Sequence, residues 1–82
     1  MKVLKEAIPV AAYFGPDGNI KPLAFKYNCK EYKVANIKWW QFGKPIWTER
    51  ASRIYCVSTQ DDKIAELVWE VDTGVWRLIK FG

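Results

Sequence analysis

Apolar and polar residues alternate with period two along most of this chain, the pattern of strands with one buried face. Ile8, Val10, Ala12 and Phe14 fall on one face, with Pro9 and Tyr13 on the other. Pro9 cannot donate to a ladder, so it belongs at a strand start or on an edge. Gly15-Pro16-Asp17-Gly18 then reads as a turn, because Pro fixes φ and Gly accepts positive φ. A second strand is predicted from Ile20 to Tyr27, with Leu23, Phe25 and Tyr27 sharing a face. Asn28-Cys29 joins it to a third strand carrying Tyr32 and Val34. A two-residue hairpin favours Asn-Gly, and Cys suits positive φ poorly, so strain or a slightly longer turn is expected there.

The alternation fails after Ala35. Ile37, Lys38, Trp39, Trp40, Gln41 and Phe42 cannot all share a face, which predicts a bulge, a bend or a one-turn helix. Gly43 to Ser52 reads as the longest loop, although it holds Ile46 and Trp47. Ile54 to Ser58 is a predicted strand, and Thr59-Gln60-Asp61-Asp62 a polar turn. Ala65, Leu67, Trp69 and Val71 alternate with Glu66, Val68 and Glu70, as in a half-buried strand. Asp72-Thr73-Gly74 is a hairpin turn with Gly at the left-handed position. Val75 to Phe81 is the last strand, with Trp76 and Leu78 toward the core. Met1 to Ala7 fits a short helical turn or an extended lead-in equally well.

About six short strands, with turn signals every ~8–12 residues, predict an all-β antiparallel meander forming a small SH3-like barrel or sandwich. A closed or nearly closed barrel is the preferred form, because closure removes exposed edges.

Composition sharpens this picture. Half of the 82 residues are hydrophobic and 27% are charged, which fits one globular domain over residues 1–82. Aromatics make up 16% of the chain, and each can bury roughly 150–250 Å² in a core too small to be stable on aliphatics alone. Histidine is absent, which excludes Ser-His triads, His acid–base chemistry and His metal ligands. The net charge of +4 permits a polyanionic partner without demanding one. Cys29 and Cys56 match no metal-site spacing and read as free thiols, as in a reducing compartment. No apolar leader follows Met1–Glu6, and no stretch approaches the roughly 18 apolar residues of a membrane span, so a cytoplasmic location is expected.

The strongest functional candidate is Lys38-Trp39-Trp40-Gln41-Phe42, followed by Lys44, Trp47 and Arg50. Single-strand nucleic-acid binders combine cations with aromatic stacking platforms, each stacked base contributing about 1–3 kcal/mol. The plainer reading is that these aromatics close the end of a barrel. A third is an exposed apolar patch that binds a protein partner or a second copy of the chain.

Other chemistry is weakly represented. Glu66 and Glu70 stand four apart, about 13 Å along a strand, beyond the roughly 5–9.5 Å of paired glycosidase acids. They are expected on a solvated face. Cys29 has Lys26, Lys30 and Lys33 nearby, and cations lower a thiol pKa, but no His partner exists. No Walker or G-x-G-x-x-G loop occurs. The expectation is therefore no catalytic residue, no cofactor and no metal.

The segment Leu23-Ala24-Phe25-Lys26-Tyr27-Asn28-Cys29-Lys30-Glu31-Tyr32-Lys33-Val34 resembles a P-x-x-F-x-W-x-G-x-x-Y-x-V pattern. Trp39 or Trp40 follows, then Trp47, an I-Y-x-V string, and a stretch from Leu67 to Leu78 similar to Y-x-L-Y-x-D-x-x-T-G-x-W-x-L. Together these resemble the DUF6504-like domains, a small bacterial family of unknown function, over roughly Pro9 to Phe81. Such domains occur alone or as the tail of inactive Y-family polymerase-like proteins of bacterial mutagenesis systems. The resemblance implies a protein-interaction or DNA-transaction module and supplies no catalytic residues. The chain departs from the pattern at Cys29, where Gly is expected, and at Tyr27, where Trp is common.

The resulting expectation is a non-enzymatic bacterial β module that binds a protein partner or itself through Lys38, Trp39, Trp40, Lys44, Trp47 and Arg50. The alternative is weak single-stranded nucleic-acid binding through the same surface. No membrane partner is expected.

Overall fold

The alternating segments pair with their sequence neighbours, so nearly every connection is a hairpin. A computed structural model of the protein describes residues 3–43 and 51–82. It contains seven strands: β1 Val3–Ala7, β2 Val10–Phe14, β3 Ile20–Tyr27, β4 Lys30–Gly43, β5 Ser52–Thr59, β6 Ile64–Glu70 and β7 Trp76–Phe81. All pairings are antiparallel, in the order β1-β7-β6-β5-β4-β3-β2, with no helix among the described residues.

The additional strand is β1, from the segment whose pattern left helix and strand open. It decides the shape of the sheet. β1 and β2 occupy opposite edges, yet only Ile8 and Pro9 separate them in the chain. The sheet must therefore curl until its edges meet at that corner. Ile8 N–H donates to Trp76 O at 3.0 Å, and Lys26 N–H donates to Pro9 O at 3.1 Å, tying the corner to β7 and to β3. No ladder joins β1 to β2 among the described residues, so the antiparallel meander expected from sequence curls into a half-barrel that stops short of full closure. Pro9 sits between two edge strands, where its missing N–H interrupts no ladder.

Bulges rephase the alternation. Ala11 faces Ala24 but Ala12 faces Pro22, so Leu23 is an extra residue. Ile20 and Pro22 point inward before it, and Phe25 and Tyr27 after it. Leu23 is exposed, correcting its expected place beside Phe25 and Tyr27. In β4, register shifts at Val34/Asn36 and Ile37/Trp39 account for the broken pattern after Ala35. The strand does not end there. Its first residues pair with β3 and its remainder, from Val34 to Gly43, pairs with β5.

Aromatics fill the half-barrel as two clusters around a core of Ile20, Phe25, Tyr55, Val57, Ala65, Leu67, Trp76 and Leu78. At one end Phe81 packs against Tyr32, Tyr27 and Phe25, with ring centroids 4.8, 5.3 and 6.1 Å away. At the other, a row of rings runs Phe42, Trp40, Tyr55, Trp76, Trp69, Phe14, each centroid 5.3–6.3 Å from the next. Trp76 and Leu78 face the core, as the pattern predicts.

Turn chemistry follows the sequence closely. Asn28 and Cys29 have φ of 56° and 63°, and Tyr27 pairs with Lys30, which makes a two-residue hairpin with both central residues left-handed. Placing Cys in that region costs roughly 1–2 kcal/mol. Cys29→Gly is expected to raise stability by about 1 kcal/mol, less than the full relief because Gly also gains freedom in the unfolded chain. A urea midpoint unchanged or lowered would show that the turn carries no such strain.

At the β5–β6 turn, the Thr59 hydroxyl donates to Asp61 Oδ1 at 2.5 Å and accepts from Lys63 N–H at 3.0 Å. That hydroxyl, with the exposed Lys30 ion pair at 3.2 Å, holds the Asp61 carboxyl below its ordinary pKa. A depressed carboxylate stabilises above its unfolded pKa and loses that contribution as pH falls through the lowered value.

The β6–β7 turn brings one correction. Glu70, expected on a solvated face, is buried, and Val71 is exposed. Glu70 is the last residue of β6, and its carboxylate turns back over the hairpin. It accepts from the Thr73 hydroxyl at 3.3 Å and pairs with Arg77 Nε at 3.5 Å. Gly74, at φ 71°, donates to Glu70 O at 2.8 Å, closing the turn.

Candidate functional site

The two bulges of β4 determine which way its aromatics point. Ile37 packs against the core, and the register shift that follows places Trp40 and Phe42 on the inner face and Trp39 and Gln41 on the outer one. Trp39 and Trp40 keep 44% and 45% of their surface exposed, and Phe42 keeps 66%. This is intermediate between aromatics that close a barrel end and aromatics left on the surface. Trp40 stacks on the buried Tyr55 at 6.1 Å and so helps close the end of the half-barrel. Phe42, at the end of that ring row, keeps two thirds of its surface in solvent, and Trp39 keeps nearly half of its own on the outer face.

Arg53 completes the group. Opposite Phe42 in the ladder, it lays its guanidinium over Phe42 at 4.9 Å and Trp40 at 5.5 Å. Its Nη1 donates to Gly18 O at 3.1 Å, anchoring the β2–β3 turn to β5. Its position was hidden in the sequence because no pattern fixes the β4–β5 register across the intervening segment. Lys38, also exposed, precedes Trp39. Lys44, Trp47 and Arg50 of the expected surface lie outside the described residues.

Beside this group the sheet splits. β3 pairs with β4 only through Ala24–Tyr27, while its beginning, from Ile20 to Pro22, pairs with β2 alone among the described residues. The split leaves a groove of about 320 Å³ lined by Asn19, Ile20, Lys21, Ile37, Trp40 and Arg53. Along it, β4 from Val34 to Gly43 is bonded to β5 on one side, and no ladder covers its other side among the described residues. That stretch is about 30 Å long, at roughly 3.3 Å per residue.

The remaining chemistry is quiet. Cys29 is exposed and Cys56 buried, both as free thiols. Burial raises the Cys56 pKa, helped by Glu66 and opposed by Lys38. A thiol reagent is expected to modify Cys29 in the native protein and Cys56 only on unfolding. Two fast-reacting thiols would contradict the packing around β5. Among the described residues no three His, Cys, Asp or Glu side chains gather as a metal site, and no helix is long and apolar enough to cross a membrane.

Tyr55 is almost wholly buried, and its hydroxyl has no hydrogen-bond partner among the described residues. An unsatisfied buried hydroxyl is costly, so Tyr55→Phe is expected to be neutral or stabilising by up to about 1 kcal/mol. A loss above that amount would reveal a partner for this hydroxyl.

The chain matches no family model, no curated protein and no solved structure.

Proposed function

We propose that the protein is a non-enzymatic module that binds another protein chain through the aromatic and basic surface of β4. The observation that carries this reading is the exposure of Trp39, Trp40 and Phe42 together on one strand. Three large aromatics left in water cost burial free energy of about 25 cal/mol per Å² of apolar surface, which a partner would recover. Aromatics and Arg are also the side chains that dominate binding at interface centres. The resemblance of the hairpin motifs to the DUF6504-like domains supports the same reading by association alone.

The test is selection from a displayed random-peptide library, run in parallel on the native chain and on a Trp39→Ser/Phe42→Ser variant. Both side chains are exposed, so the variant should fold with a stability change within about 1 kcal/mol. Peptides enriched on the native chain alone are the expected result. No enrichment, or equal enrichment on both proteins, would defeat the reading.

A second reading, single-stranded nucleic-acid binding, draws on Lys38 standing next to the exposed Trp39. It predicts Trp quenching by an oligonucleotide at low salt that fades by about 200 mM, with a log–log slope near −0.7 per phosphate contact.

A further inference from the structure

Exposed sheet edges are normally blunted, and in this fold both formal edges are. β1 spans Val3–Ala7 and β2 spans Val10–Phe14, five residues each, and each carries a register shift. Lys5, at the β1 irregularity, has φ of 59°. Pro9 stands between the two. Among the described residues the long open edge is internal instead. It is the side of β4 from Val34 to Gly43 that the divergence of β3 uncovers. Lys38 is its one charged residue, and Trp39, Trp40 and Phe42 flank it on both faces.

We infer that this edge accepts an extended acidic and apolar segment of a partner protein as an added strand. The inference rests on the protein-binding reading above and assigns the partner its chemistry. An added strand uses main-chain hydrogen bonds for affinity and alternate side chains for specificity. About half the amides of β4 between Val34 and Gly43 point away from β5, with no ladder partner among the described residues, because successive residues of a strand direct them to opposite sides. Trp40 and Phe42 meet every second side chain of the added strand on the inner face, and Trp39 meets the others on the outer face.

Charge selects the occupant. The groove lining presents Lys21 and Arg53 and holds no carboxylate, and Lys38 adds a cation on the open stretch of β4. A second copy of the chain brings the same cations and a net charge of +4. An acidic segment meets the opposite field. A nucleic acid satisfies the cations but leaves the main-chain donors and acceptors of the edge unpaired, so the open edge favours a peptide.

The experiment uses peptides enriched on the native chain and a dT12 oligonucleotide as probes. Enriched sequences should alternate acidic and apolar residues with period two. N-methylation of alternate amides on one side of such a peptide should weaken binding at least tenfold, and methylation on the other side should change it little. Lys38→Glu should weaken binding by about fivefold, the size of one surface ion pair. Enriched peptides with no period-two pattern, or with affinity indifferent to N-methylation on either side, overturn strand addition while leaving the protein-binding reading intact. Absence of any enriched peptide overturns both. Saturable dT12 binding that requires Trp39, without peptide binding, replaces both with the nucleic-acid reading.

Discussion

Trp76→Ala is expected to lower the unfolding free energy by about 4 kcal/mol, much of the stability of a domain this size, roughly 4–12 kcal/mol. Trp76 is buried at the middle of the aromatic row, between Tyr55 at 5.6 Å and Trp69 at 6.3 Å. Its backbone carbonyl also receives Ile8 N–H, so the residue lies where the two edges of the sheet are drawn together. Removing the ring opens a cavity in a core with little aliphatic mass to collapse into it. The measurement is urea unfolding followed by far-ultraviolet circular dichroism, because tryptophan fluorescence is itself altered by the substitution. Trp39→Ser is the control and should change stability by less than about 1 kcal/mol. Equal losses in the two variants would contradict the division between the structural and the exposed members of the aromatic set.

Arg77→Met should cost about 2 kcal/mol, and much of that loss should be recovered in the double variant Glu70→Gln/Arg77→Met. Glu70 is buried, and its carboxylate meets Thr73 and Arg77, so removing the cation strands a carboxylate away from water. Breaking a fully buried pair costs about 3–5 kcal/mol. The smaller figure reflects Arg77, whose side chain is 33% exposed. Arg77 Nη1 also donates to Lys5 O at 3.4 Å, which holds β1 to β7. The double-mutant cycle, read by chemical denaturation, isolates the pair from that anchor. An additive cycle would mean that Glu70 and Arg77 act separately.

The all-β class, the positions of most strands and the turns were legible in the sequence because each rests on local chemistry. Period-two alternation places Ala65, Leu67 and Leu78 inside, and Gly18 and Gly74 adopt the positive φ their turns require. What was not legible depends on pairing between distant segments. β1 lacks a clean alternation because its register breaks between Val3 and Glu6, and it is a strand only because β7 pairs with it. Leu23 looks like a core residue until the β2 register makes it a bulge. Glu70 looks like surface until the hairpin folds Arg77 and Thr73 onto it.

The candidate site was legible in part for the same reason. Lys38, Trp39 and Trp40 stood out by composition, and all three are exposed. Arg53 and the open edge of β4 did not, since both follow from where β3 leaves β4 and how β5 registers against it. Opposite faces for Trp39 and Trp40 follow from any extended strand. Which of them turns inward is set by the shift between Ile37 and Trp39.

The most direct test of the account is amide hydrogen exchange along β4 in the free protein, residue by residue, by NMR. An edge bonded to β5 on one side and open on the other should show alternating slow and fast amides from Val34 to Gly43, apart from the two bulges. Amides of β6, bonded on both sides, should be slow throughout. Uniform protection along that stretch of β4 would mean that its outer edge is already paired, and would contradict a surface open to a partner strand.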